Sequence, residues 1–297
     1  MELISDHGAD GIGLFRSEFL FMGRHLPDEE HQMQEYARVV DYFYPKPITI
    51  RTIDVGGDKI YGFTADYKER NPFLGCRAIR FSLANEELFR TQLRAILRAS
   101  TRGNVKVMFP MISTTEEIIW AQSIIENVKN QLRAENKPFD ENIQVGIMIE
   151  VPSAVINADR LARYCDFFSI GTNDLVQYTL AVDRIGEQVA YLYNPVDLAV
   201  IRMLQQVRQT ADQYNVQLSI SGEMAGEPLY TMVLLGLGYR IFSMSSTYMY
   251  PVKRIVRSVT VAECEDLVKQ MMTYDTTSAT EEYLQSVVRK KFPNLVK

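Results

Sequence analysis

Val145–Asp174 reads VGIMIEVPSAVINADRLARYCDFFSIGTND, and three pieces of it decide the fold. Val145–Ile149 is a short apolar run closed by Glu150. Ser153–Tyr164 has helical spacing, with Pro152 near its start, where a missing N–H does no harm. Phe167–Ile170 is a second apolar run, followed by Asn173 and Asp174. Strand, helix and strand in that order make the unit of a parallel sheet.

Working outward, the alternation continues in both directions. Strands are expected at Gly11–Phe15, Ile48–Ile53, Val105–Phe109, Leu218–Ile220 and Arg240–Ser243. Helices are expected at Glu86–Arg98, Thr115–Glu135, Asp197–Tyr214 and Pro228–Leu235, and Val261–Phe292 reads as further helix with polar breaks. Ser113-Thr114-Thr115-Glu116, ahead of Glu117, is a capping signature for the long second helix. The strands are apolar along their length rather than alternating, as a sheet covered on both faces requires.

A doubly wound sheet and a (β/α)8 barrel share that pattern, and the polar residues separate them. Arg51, Glu150, Asn173 and Ser221 each stand at or just past the C-terminal end of a different strand. Contributions from so many strands converge at the C-terminal rim of a barrel, whereas a doubly wound sheet gathers them at one switch point. The expectation is an α/β chain forming one (β/α)8 TIM-barrel domain over residues 1–297. The count gives seven strands, and Met1–Asp10 reads as the end of a helix leading into the first of them. The barrel's first strand is therefore expected to precede residue 1.

Composition narrows the function. With 46% of 297 residues hydrophobic, the chain has ample material for a large core. No apolar run approaches the roughly 18 residues that span a bilayer, and MELISDHGAD lacks the pattern of a signal peptide. Three cysteines without paired spacing, Cys76, Cys165 and Cys264, point to a reducing, cytoplasmic setting and not to a disulfide framework or zinc site. A net charge of −5 with interspersed signs argues against nucleic acid as a partner.

Against that acidic total, Arg16, Arg51 and Arg77 sit at strand ends or glycine turns, in GIGLFRSEF, ITIRTIDVGGDK and NPFLGCRAIR. Arginine grips carboxylate and phosphate through paired N–H donors, so three placed this way point to a small dianionic ligand. The plainer reading gives each one an ordinary salt bridge. Glu150 and the Asn173-Asp174 pair suit a hard divalent cation such as Mg2+, which favours a few carboxylates, waters and substrate phosphate. Their plainer reading is helix capping. Ser221, in LSISGEMAGEP, lacks the G-x-S-x-G form of a hydrolase nucleophile, and His7, His25 and His31 read as surface or structural residues.

Taken together, GADGIGLFRSEFLF, IRTIDVGGDK, NPFLGCRAIR, GIMIEVPSA, SIGTNDLVQYTLAVDR and SGEMAGEP resemble, in order, the motifs of the phosphoenolpyruvate-utilising family. That family includes enzyme I of the sugar phosphotransferase system, pyruvate phosphate dikinase and phosphoenolpyruvate synthase. AILRAS, QYTLAVDR and FSMSS favour enzyme I, including its nitrogen-related paralogue. The resemblance implies a barrel that binds phosphoenolpyruvate and releases pyruvate, and that dimerises. It also implies phosphoryl transfer to a histidine on a separate N-terminal domain, and onward to a histidine-containing phosphocarrier protein.

Residue by residue, it makes Arg16, Arg51, Arg77, Asn173, Asp174 and Arg184 the expected substrate-binding set. Glu150 and Asp174 become the expected magnesium ligands. It also places Ser221 where the family has a cysteine that protonates the departing enolate. A thiol titrates near ~8.5 and a hydroxyl is a far weaker acid, so Ser221 is expected to leave binding intact and impair turnover. Two other readings stand beside this one. One is a phosphoenolpyruvate-sensing pseudoenzyme; the other is a fragment of a dikinase or synthase.

Overall fold

Six parallel strands lie close to where the apolar runs put them: β1 (Ile12–Arg16), β2 (Ile48–Arg51), β3 (Val105–Phe109), β4 (Gln144–Ile149), β5 (Phe167–Gly171) and β6 (Gln217–Ser221). Their order in the sheet is their order in the chain. The structure is a computed structural model in which residues 1–23, 25–55 and 70–295 are described. Gly56 and Gly57, expected to accompany Arg51, lie outside the described residues. β2 and β5 are buried along their whole length, as a sheet covered on both faces demands.

The seventh expected strand is corrected. Arg240–Ser243 contributes one parallel bridge, Ile220 to Phe242, made by Ile220 N–H to Ile241 O and Ser243 N–H to Ile220 O at 2.9 and 2.8 Å. The run is too short for a ladder: Ile241 is 40% exposed, and only two of its backbone groups find the neighbouring strand.

The chain divides into two compact units. The first has its described residues within Asp10–Met148 and Arg163–Phe167. Its strands are flanked by helices Glu29–Phe43, Glu86–Ala99 and Thr115–Ala134. The capping box expected on the last of these is present, with Thr114 and Glu117 satisfying each other's backbone N–H groups. Gly146 on β4 is required by packing: a methyl group there would lie 2.5 Å from the Phe167 ring. That ring completes a small apolar cluster with Met108, Met148 and Leu14. On the outer face Arg94 and Arg98 both grip Glu29, at 2.6 and 2.7 Å, and extend to Glu135 and Glu30.

The second unit comprises Glu2–Ala9, Ile149–Ala162 and the chain from Phe168 onward. The expected helix Ser153–Tyr164 is here two short helices, Pro152–Ile156 and Ala158–Leu161, parted at Asn157. Asn157 has φ −95° and ψ 16°, off the helical track, as suits a residue whose side chain competes for backbone hydrogen bonds. Leu198–Tyr214 starts from Asp197, whose carboxylate accepts from Ala199 N–H at 2.8 Å, and ends at Asn215 with φ 54°. The tail resolves into Val261–Met271 and Thr277–Lys291, each opened by a threonine cap, Thr260 and Thr276. No described helix is long and apolar enough to cross a membrane.

Candidate functional site

Arg16 and Arg51 close β1 and β2, and the parallel register makes them direct neighbours, Arg16 opposite Arg51. Like charges paired across strands destabilise a sheet, so something must offset them. Two carboxylates do. Glu18 Oε1 accepts from Arg51 Nη2 at 2.8 Å and from Asp54 N–H at 3.1 Å. Asp54 lies between Arg51, at 2.9 Å, and Arg77, at 2.8 Å. Burial alone would push Asp54 upward, but Arg51, then Arg77 and Arg16, outweigh it and hold the carboxyl below its usual range.

The three arginines named above thus stand against two carboxylates. Arg51 is buried, Arg77 half-buried and Arg16 exposed, so the cluster grades from a fixed interior to an open edge. Behind it, Gln92 fixes the strand end. Its carbonyl accepts from Ile53 N–H at 3.0 Å, and its amide donates to Ser17 Oγ and to the Tyr36 hydroxyl. Ser17 Oγ in turn donates to Arg51 O at 2.8 Å. The salt-bridge reading of these arginines is therefore correct for Arg51 and Arg77, and it coexists with a cationic cluster.

In the second unit, Glu150 directly follows β4 and is 1% exposed. Asp174 is buried in the first turn of helix Thr172–Leu180, where a carboxylate meets the positive end of the helix dipole. Neither is an N-cap: Val151 and Gly171 hold those positions, which corrects the capping reading. Two buried carboxylates on successive β/α steps offer only oxygen donors, a set whose chemistry fits a hard divalent cation.

The end of β6 is tied to the start of that same helix. Thr172 Oγ1 donates to Ser221 O at 2.8 Å, and Ser221 Oγ donates to Ile170 O at 2.8 Å. Glu223 N–H donates to Asn173 Oδ1 at 2.9 Å. This approach depends on Gly222, at φ +97°, where a methyl group would meet Thr172 Oγ1 at 2.3 Å and Asn173 Oδ1 at 2.8 Å. The Glu223 carboxylate turns back onto Asn173 Nδ2 at 3.3 Å and Arg184 Nη1 at 3.6 Å. Arg184 is anchored through its backbone N–H to Gln177 Oε1 at 3.2 Å.

Arg16, Arg51 and Arg77 lie in the first unit around Asp54, and Glu150, Asn173, Asp174, Arg184 and Ser221 lie in the second, where Asn173 and Arg184 meet at Glu223. Reading the sequence missed Glu18, Asp54 and Glu223, the carboxylates that face these cations. Asp54, three residues after Arg51, carried a readable signal; Glu18 and Glu223 did not.

A family model described as "PEP-utilising enzyme, PEP-binding domain" matches residues 1–261, and the chain belongs to this family. The phosphoenolpyruvate-protein phosphotransferase of Priestia megaterium is 44% identical over 284 residues, 95% of this chain and 50% of the relative. That of Bacillus subtilis (strain 168) is 42% identical over 287 residues, 96% of this chain and 50% of the relative. The chain spans about half the length of these curated relatives. Among solved structures, an HpcH/Hpal aldolase/citrate lyase family protein from Burkholderia cenocepacia J2315 is similar in fold, at TM-score 0.50. The match has 13% identity and covers 86% of this chain and 88% of that one. The fold class is α/β, of the TIM-barrel type.

Proposed function

We propose that this chain is the phosphoenolpyruvate- and magnesium-binding barrel of a cytoplasmic phosphoenolpyruvate–protein phosphotransferase. It would act with an N-terminal phosphohistidine domain and a histidine-containing phosphocarrier protein, as a homodimer serving sugar uptake or its nitrogen-linked counterpart. The observation that carries this reading is the register of Arg16 on Arg51, with Arg77 joined to the pair through Asp54. Guanidinium groups gathered at neighbouring strand ends, with Arg51 and Arg77 held by the buried Asp54, are preorganised donors for an anion that spreads charge over several oxygens.

In this reading Arg16, Arg51 and Arg77, with Asn173, Asp174 and Arg184, bind and orient the phosphate and carboxylate of phosphoenolpyruvate. Glu150 and Asp174 hold Mg2+, which when bound neutralises charge on the phosphoryl oxygens. The phosphorus–oxygen bond to the enol breaks as a bond forms to the acceptor histidine nitrogen. The enolate left behind then takes a proton at carbon and becomes pyruvate.

Ser221 occupies the position from which that proton is expected. It is 1% exposed and its hydroxyl proton already lies on Ile170 O, so it is a weak acid with its proton engaged elsewhere. This observation favours a second reading, in which the chain binds phosphoenolpyruvate as a sensor with little turnover.

Calorimetry with phosphoenolpyruvate and Mg2+ tests the binding reading. Arg16→Met removes an exposed guanidinium and should weaken binding about tenfold or more, the scale of a charged hydrogen bond. An unchanged Kd would remove Arg16 from the proposed substrate-binding set. Pyruvate release with a supplied acceptor domain then separates the two readings. Release by the unaltered chain supports the phosphotransferase and binding without release supports the sensor, while a gain in Ser221→Cys shows that Ser221 limits turnover and no gain counts against that role.

A further inference from the structure

Glu223, unlike Glu150 and Asp174, has no part in the proposed magnesium site, and its charge works against an anionic ligand. Its carboxylate lies on Asn173 Nδ2 at 3.3 Å and on Arg184 Nη1 at 3.6 Å, the two neutral and cationic donors assigned above to substrate. Both contacts are long, and the side chain is 77% exposed, so it can swing into water at little cost. Its own backbone N–H, by contrast, is firmly bound to Asn173 Oδ1 at 2.9 Å. A backbone N–H can only donate, so Oδ1 must be the acceptor and the Asn173 amide must present its NH2 group outward. One residue thus does two opposed things: its main chain aims a donor, and its side chain covers that donor and the adjacent guanidinium.

We infer that Glu223 is a place-holding carboxylate, an internal anion that occupies Asn173 and Arg184 until the substrate's anionic group displaces it. The inference rests on the proposed assignment of those two residues to substrate. A ligand must then outcompete a tethered carboxylate, which raises the threshold for weakly charged metabolites and favours one with several anionic oxygens. It also keeps Arg184 docked when no ligand is bound, so that the guanidinium does not collapse onto another carboxylate.

Phosphoenolpyruvate binding in the presence of Mg2+, measured by calorimetry on the full chain, tests this through a double-mutant cycle. Glu223→Gln keeps the shape and the backbone donor and removes the charge. It should bind about two- to fivefold tighter, the range spanned by one exposed ion pair. Glu223→Asp, too short to reach Arg184, should tighten binding in the same direction. Arg184→Ala should weaken binding, and adding Glu223→Gln to it should produce much less further tightening than in the unaltered chain.

Arg184→Ala with unchanged affinity would overturn the assignment of Arg184 itself. A weakened Arg184→Ala alongside a Glu223→Gln chain that binds like the original would overturn the place-holding role alone. Weaker binding in Glu223→Gln would make Glu223 a supporting group and refute the inference. No binding to the unaltered chain would remove both readings together.

Discussion

The arginine-bearing strand ends of the first unit and the glycine-hinged strand end of the second hold anion-seeking groups in opposite ways. Around Asp54 the ion pairs are short, 2.8 and 2.9 Å, and the three side chains are at most 12% exposed. Around Glu223 the pair is long, 3.6 Å, and the carboxylate stands mostly in water. Buried pairs are costly to break because the surviving charge is stranded away from solvent, whereas exposed ones dissolve easily. The first group is therefore a fixed frame, and the second is adjustable.

The sharpest way to break this contrast is Asp54→Asn. It leaves Arg51 and Arg77 without their shared anion and should cost about 3 kcal/mol, at the lower end of the range for breaking buried pairs. Urea unfolding measures it, and an unchanged midpoint would mean that Asp54 is no more a frame than Glu223. Gly222→Ala comes next. Its methyl group has no room beside Thr172 and Asn173, and φ +97° is strained for any side chain, so about 1–3 kcal/mol should be lost, together with phosphoenolpyruvate affinity. Retained affinity would show that the close approach of Glu223 N–H to Asn173 does not matter.

The smallest effect is titration of Asp54. Its folded carboxyl lies below the ordinary 3.8, so its contribution is fully present above that value and is lost as pH falls through the folded one. A series of unfolding midpoints taken into acid should decline in that window for the unaltered chain. The part due to Asp54 should vanish in Asp54→Asn; equal declines in both would assign the acid sensitivity elsewhere. Glu135, held down to about 2 by its hydrogen bonds to Arg94 and Lys137, is a second source in the same direction.

Much of this frame was legible in the sequence because it depends on local pattern. Val105–Phe109 is recovered to the residue, and the Thr114–Glu117 capping box follows from four consecutive side chains. Arg51, Asn173 and Ser221 were found because strand ends are visible as the point where an apolar run stops. What stayed hidden depends on distant partners. Glu18 reaches Arg51 across 33 residues, and Glu223 reaches Asn173 across 50. Nothing in either carboxylate's neighbourhood names its partner. The break at Asn157 was missed for another reason: apolar spacing continues through it, and only the backbone angles show that the helix does not.

The buried polar chain behind Arg51 has one more consequence. Tyr36 donates to Gln32, Gln92 donates to both Tyr36 and Ser17, and Ser17 donates to the carbonyl of Arg51. Gln92 has also spent its oxygen on Ile53 N–H, and Gln32 its amide on Pro27 O. Burial pushes the Tyr36 phenol far above its ordinary range, which favours the protonated hydroxyl. Turning over either amide would set like groups face to face, the Gln92 NH2 on Ile53 N–H or the Gln32 oxygen on Pro27 O, so both amides hold one orientation. Through Ser17, the carbonyl end of the arginine strand inherits the fixed orientation of Gln92.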